Sequence, residues 1–313
     1  MPQRGGRGGQ TAQQQAMSIP QGISKSTDGG MILDTTANIN NLQIRYRIAG
    51  PAAMFKTASQ VPGAAAAPDT QGTMGLNVLL HGDGGQSFFD FPNQPLQKNL
   101  MGVAVLAPDP NLFWGGGSGL QRTNGVAHAQ AVNDLVQNEL PKMMAFNSSN
   151  VFFTGVSGGS LLMSGFFIPA QMTNYKNAGV LLNCGGMPPQ VDFVDMNAVI
   201  TSTRIHFQST QNELRLLQGS IPQAIQAYET MATSAGMTQD QINAMQTVDN
   251  TPVGGHCAFD GQGFVSGVQL MAKSYSNVVQ PGGNGMVAGI GNVNKGVVGR
   301  ELLSFGDPER KKM

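Results

Sequence analysis

The chain has 313 residues and a formal net charge of zero, and only 12% of it is Asp, Glu, Lys or Arg, well under the usual quarter. That balance provides no long-range field to draw nucleic acid, acidic lipid or a strongly charged substrate. Hydrophobic residues make up 40%, enough for one sizeable core, and no apolar run reaches the roughly 18 residues of a membrane span.

Residues 1–30 are rich in Gly, Gln and Ser and read as a disordered, solvated tail ahead of a single domain spanning 31–313. Arg4-Gly5-Gly6-Arg7-Gly8-Gly9 has the look of an RNA-binding Arg-Gly-Gly box. With two repeats and no basic balance behind them, a solvated tail is the better reading, and no nucleic-acid partner is expected. The start lacks a basic-then-apolar signal pattern. A cytoplasmic location is therefore expected, with secretion after processing or by a non-standard route as the alternative.

Met31 to Thr36 and Leu42 to Ile48 read as strands around an Asn-rich turn, Asn38 to Asn41. Gly50 to Gly72 is an Ala/Pro/Gly loop. Short apolar runs then recur at Leu76–Leu80, Val103–Leu106, Val151–Thr154, Val180–Leu182 and Ile205–Phe207. Longer segments with helical spacing lie between or after them. The clearest is Val126 to Phe146, with Val126, Ala129, Val132, Leu135, Val136 and Leu140 on one face and Pro141 near its end. Ile221–Ala235 and Phe264–Val279 show weaker versions. Buried strands alternating with helices predict a mostly parallel sheet covered on both faces. Gly282 to Val298 is a Gly/Asn-rich C-terminal segment, expected to be loop.

Ligands of open parallel sheets collect at the carboxyl ends of the strands. One such end reads Val151-Phe152-Phe153-Thr154-Gly155-Val156-Ser157-Gly158-Gly159, followed by Leu161-Leu162-Met163. Strand, Gly-x-Ser-x-Gly and helix in that order put Ser157 on a sharp, strained turn with its hydroxyl exposed. Another end carries His81-Gly82-Asp83-Gly84-Gly85, a turn whose backbone N–H groups can face an open site. An oxyanion would then be held by Gly158 together with Asp83 or Gly84; the plainer alternative is a tight glycine turn and nothing more.

After Ile205–Phe207 comes Glu213, a candidate for the acid that orients a histidine, or else a helix N-terminal residue facing the dipole. Asp192, Asp195 and Asp249 are alternatives for the acid. His256 follows Gly254 and Gly255 on a loop, as suits an exposed imidazole acting as base near neutral pH. His128 falls in a helical pattern, His206 in a strand, and His81 at the glycine turn, where it would bond backbone.

The order Ser157, Glu213, His256 resembles the α/β-hydrolase superfamily over roughly residues 31–275, nearest its esterase and depolymerase-like branch. The likeness lies in His81-Gly82-Asp83-Gly84-Gly85, Gly155-Val156-Ser157-Gly158-Gly159 and Gly255-His256, with Asp109, Trp114 and the long helix before the serine in similar places. It implies an α/β-hydrolase fold with an eight-stranded, mostly parallel sheet and ester hydrolysis without a cofactor. Such families often carry Asp where this chain has Asn212 followed by Glu213.

Cys184 and Cys257 are the only cysteines, too few for a disulfide framework or a structural zinc site. The four histidines have no ligand-pair spacing, so no metal is expected. Cys257 follows the candidate base, and Cys184 ends the strand after the serine's. A disulfide pinning the histidine loop and two reduced thiols are both open. Phe88, Phe89, Phe91, Phe113 and Trp114 either line an acyl cleft or pack their own loops. The expected partner is a neutral small-molecule ester; oligomeric state is open. The alternatives are an acyltransferase or thioesterase with the same triad, and an inactive hydrolase fold used for binding.

Overall fold

The computed structural model describes residues 10–90, 99–296 and 303–306. Among the described residues the main sheet has nine strands, in chain order β1 Gly22–Lys25, β2 Met31–Ile39, β3 Leu42–Gly50, β4 Gly75–Leu80, β5 Leu100–Val105, β6 Val151–Val156, β7 Gly179–Asn183, β8 Arg204–Gln208 and β9 Gln246–Asp249. They form one sheet in the order β1-β2-β3-β5-β4-β6-β7-β8-β9. The first four strands in that order pair antiparallel and all later pairs are parallel.

The β2–β3 hairpin turns at Asn40 (φ 52°) and Asn41 (φ 65°), with Ile39 opposite Leu42. Two consecutive left-handed residues make the tight turn that matches strand twist, and Asn tolerates that conformation. Strands β4, β5, β6 and β7 are buried along their whole length, which explains their mostly apolar character, and the buried polar Asn77 and Thr154 hydrogen-bond each other. Helices cover both faces. One cluster gathers Val78, Leu80, Val132, Leu135, Leu162 and Phe167; the other gathers Leu79, Phe152, Leu181, Met271 and Tyr275. This is the α/β-hydrolase architecture, with helices around a mostly parallel sheet.

The resemblance implied eight strands; β1 is the ninth, added to the antiparallel edge. The segment expected to be a tail is ordered well before residue 30. Thr11 caps a helix, Ala12–Met17, in a reciprocal pair with Gln14. Arg45, 2% exposed, donates to the carbonyls of Ala16 (2.8 Å) and Ile19 (3.2 Å) while pairing with Asp34. The Arg-Gly-Gly residues at 4–9 lie outside the described residues.

The long helix expected from Val126 begins at Gly125, widens into a π turn at Leu135–Glu139 and ends at Met143. The helix behind Ser157 does the same, with a π turn at Met163–Phe167 ahead of Ile168–Gln171. In each case a proline, Pro141 or Pro169, follows within two residues. Proline removes a backbone donor and crowds the preceding turn, and the wider turn makes room. Val126, expected on the buried face, is 60% exposed. The C-terminal segment is not all loop: Met286–Val287 pairs with Gly291–Asn292.

Candidate active site

Ser157 sits between β6 and the helix Gly158–Leu162 at φ 50°, ψ −110°, a conformation that costs a non-glycine residue on the order of 1–3 kcal/mol. Its surroundings enforce that turn. A Cβ on Gly155 would stand 2.6 Å from the Ser160 Cα, and one on Gly159 would overlap the Leu80 carbonyl, so the helix closes down on the sheet. The Asn183 carbonyl, at the end of β7, accepts the Ser157 N–H at 2.8 Å and the Ser160 hydroxyl at 2.9 Å.

His256 Nε2 meets Ser157 Oγ at 2.9 Å, and Nδ1 hydrogen-bonds Glu213 Oε1. Because the carboxylate accepts the Nδ1–H hydrogen bond, Nε2 is left to accept from the serine hydroxyl. The Glu213 side chain is fully buried, and Oε1 also accepts the Leu214 N–H at 2.9 Å. The loops carrying Glu213 and His256 are laced together. Gln211 N–H donates to the Pro252 carbonyl, Asn212 N–H to that of Gly254, and the Thr210 hydroxyl to that of Gly255.

The alternative acids are elsewhere. Asp192 and Asp195 are exposed, and Asp195 caps the helix Met196–Ser202. Asp249 is buried against Lys295 (2.9 Å), Gln208 and Thr251. Burial raises its pKa, but hydrogen bonds from Gln208, Lys295 and Thr251 outweigh that and hold it below 3.8. His81, His128 and His206 are each buried, and desolvation lowers each to about 4. His81 bonds Gly82 O and receives the Ala107 N–H; His128 receives that of Gly115; His206 bonds Thr247 and Gln208.

The glycine turn packs on the serine: a Cβ on Gly82 would lie 3.3 Å from that of Ser157. Gly84 is not available as an oxyanion donor, because its N–H donates to the Leu112 carbonyl at 3.2 Å. The amides of Asp83 and Gly158 find no acceptor among the described residues.

Cys184 and Cys257 are bonded through their sulfurs, with Cα atoms 5.1 Å apart. The two sulfurs and His256 are the one group of metal-ligand types brought together among the described residues, and the bond engages both sulfurs.

Of the aromatic residues expected near an acyl cleft, Phe88 is buried beneath Arg45 and Arg47, and Trp114 is buried between His81 and His128. Both pack the fold. Phe91 lies outside the described residues. The ring beside the imidazole is Phe264, 5.8 Å from His256, which opens the helix Phe264–Lys273. Its place at the start of an apolar helix eight residues past the histidine was the available signal. Arg122 was also missed. It pairs with the Asp83 carboxylate through Nη1 and Nη2 at 2.8 and 2.7 Å.

No protein-family model and no curated protein matches the sequence. Similar solved structures include an arylesterase at 9% identity, aligned over 86% of this chain and 90% of that one with a TM-score of 0.49. A cold-adapted esterase from an Arctic intertidal metagenomic library shares 12% identity, over 82% of this chain and 98% of that one, at 0.46. A thermostable esterase shares 16% identity over 64% of this chain, at 0.44, and the chain spans about half that protein's length, 52%. The site's own geometry carries the functional reading.

Proposed function

We propose that this protein is a serine hydrolase that cleaves a neutral carboxylic ester through an acyl-enzyme on Ser157. The observation that carries the reading is the hydrogen-bonded series Glu213–His256–Ser157, with the serine held in a strained, positive-φ turn between strand and helix. His256 Nε2 takes the serine proton as Oγ attacks the acyl carbon. Glu213 holds the imidazole in the tautomer that permits this and stabilises the imidazolium. The Asp83 and Gly158 amides bind the oxyanion, each such donor being worth on the order of 3 kcal/mol. His256 then protonates the leaving alcohol, and water repeats the cycle to release the acid. Arg122 is engaged by Asp83 and offers no clamp to a substrate carboxylate, which favours a neutral acyl group.

The test is p-nitrophenyl ester turnover together with fluorophosphonate labelling of the parent and Ser157→Ala. Turnover and labelling at Ser157 are expected in the parent and neither in the variant. A parent that does not label, or a variant that keeps its turnover, rejects the assignment.

A further inference from the structure

We infer that Arg122 and Asp83 form a positioning pair that holds the Asp83 amide in the oxyanion site and cancels the carboxylate charge beside it. The inference rests on the serine hydrolase reading above and adds a residue that touches no reacting atom.

Arg122 lies in the loop between β5 and the helix Gly125–Asp134, with its side chain 1% exposed. Two parallel bonds to Asp83 fix the plane of the carboxylate, and Nη1 also donates to the Trp114 carbonyl at 3.0 Å. The same loop holds the next residue of the turn, since the Leu112 carbonyl takes the Gly84 N–H. Asp83 is thus gripped at its side chain, and its neighbour at the amide, by one loop anchored through buried Trp114 and the Gly115–His128 bond.

Charge makes the pairing necessary. The Asp83 carboxylate stands against Gly158, so close that a Cβ there would overlap Oδ1. A bare carboxylate at that place would oppose the negative charge developing on the oxyanion. The guanidinium neutralises it without entering the site.

For Arg122→Met, kcat on p-nitrophenyl butyrate is expected to fall by on the order of 100-fold, as misplacing or opposing an oxyanion donor does. KM should stay within about threefold, because the ground-state ester does not use the interaction. A trifluoromethyl ketone, whose serine adduct carries the oxyanion, should lose affinity by the same factor as kcat. Adding Asp83→Asn to Arg122→Met should recover part of the loss by removing the unpaired charge, which a purely structural role would not do. A folded Arg122→Met with parental kcat and ketone affinity overturns the inference, as does a double variant slower than Arg122→Met. Should Arg122→Met fail to fold, Arg122→Lys keeps the charge with a single bond. It is expected to lower kcat and ketone affinity together, and unchanged values for both overturn the inference equally. A parent that neither labels nor turns over esters defeats the hydrolase reading and this inference with it. An active parent with indifferent variants defeats this inference alone.

Discussion

Cys257 is joined to Cys184, and each half of the bond adjoins one half of the Ser157–His256 contact. His256 directly precedes Cys257, while Asn183, whose carbonyl receives the Ser157 N–H, directly precedes Cys184. Ser157 and His256 are therefore both referenced to one covalent point behind them. Counting thiols in the denatured, unreduced protein should give none, and two after reduction; two before reduction would remove the premise. Cys184→Ser should cost about 2–4 kcal/mol of stability, since the bond closes a 73-residue separation. It should also lower kcat more than it raises KM, because the imidazole loses its tether while the acyl site does not.

Glu213 and Asp249 make opposite predictions although both are buried carboxylates. Glu213→Gln keeps the shape but can leave the imidazole in the wrong tautomer, so kcat should drop by on the order of 10⁴ with the fold intact. Asp249→Asn should leave kcat/KM near the parent value and lower stability instead, because Lys295 loses its partner. Its pH dependence has a definite sign. A carboxyl held below 3.8 in the folded state contributes stability that is present above that value and lost as pH falls through the lower folded one. The asparagine variant should therefore lose less stability than the parent on acidification below about pH 4. Denaturant midpoints across pH 2–5 measure this. A parent and variant that fall in parallel would show that Asp249 carries none of the acid sensitivity.

Ser157 was readable from sequence because its constraints are local: Gly155 and Gly159 are required by atoms of the same strand, turn and helix or of the strand alongside. The choice of Glu213 over Asp249 was not so local. Asp249 is engaged instead by Lys295, 46 residues beyond it, and by Gln208 and Thr251. Gly84 and Asp83 looked equivalent as donors because the Leu112 carbonyl that engages Gly84 comes from another loop. The ordered N-terminal segment was hidden for a related reason. Its own residues are mostly polar, and Arg45, 29 residues after Ala16, binds their carbonyls. Strand β9, Gln-Thr-Val-Asp, was missed because its burial is made tolerable by hydrogen bonds such as Gln246 to the Tyr228 carbonyl, not by apolar pattern.

Three histidines should set the response to mild acid. His81, His128 and His206 are buried and engaged in hydrogen bonds, and desolvation lowers each to about 4 from the ordinary 6.5. The unfolded chain takes up these protons first. Folding stability is then fully present above pH 6.5 and declines as pH falls toward 4, by up to about 1.4 kcal/mol per pH unit for each histidine. His206 bridges β8 and β9 through Thr247, on the strands that lead into the loops carrying Glu213 and His256, so His206→Gln should flatten the decline by one histidine's share. Chemical denaturation between pH 7 and 4.5 reads the slope directly. A parent whose stability is constant across that interval would mean that these imidazoles ionise in the folded state as readily as in the unfolded one.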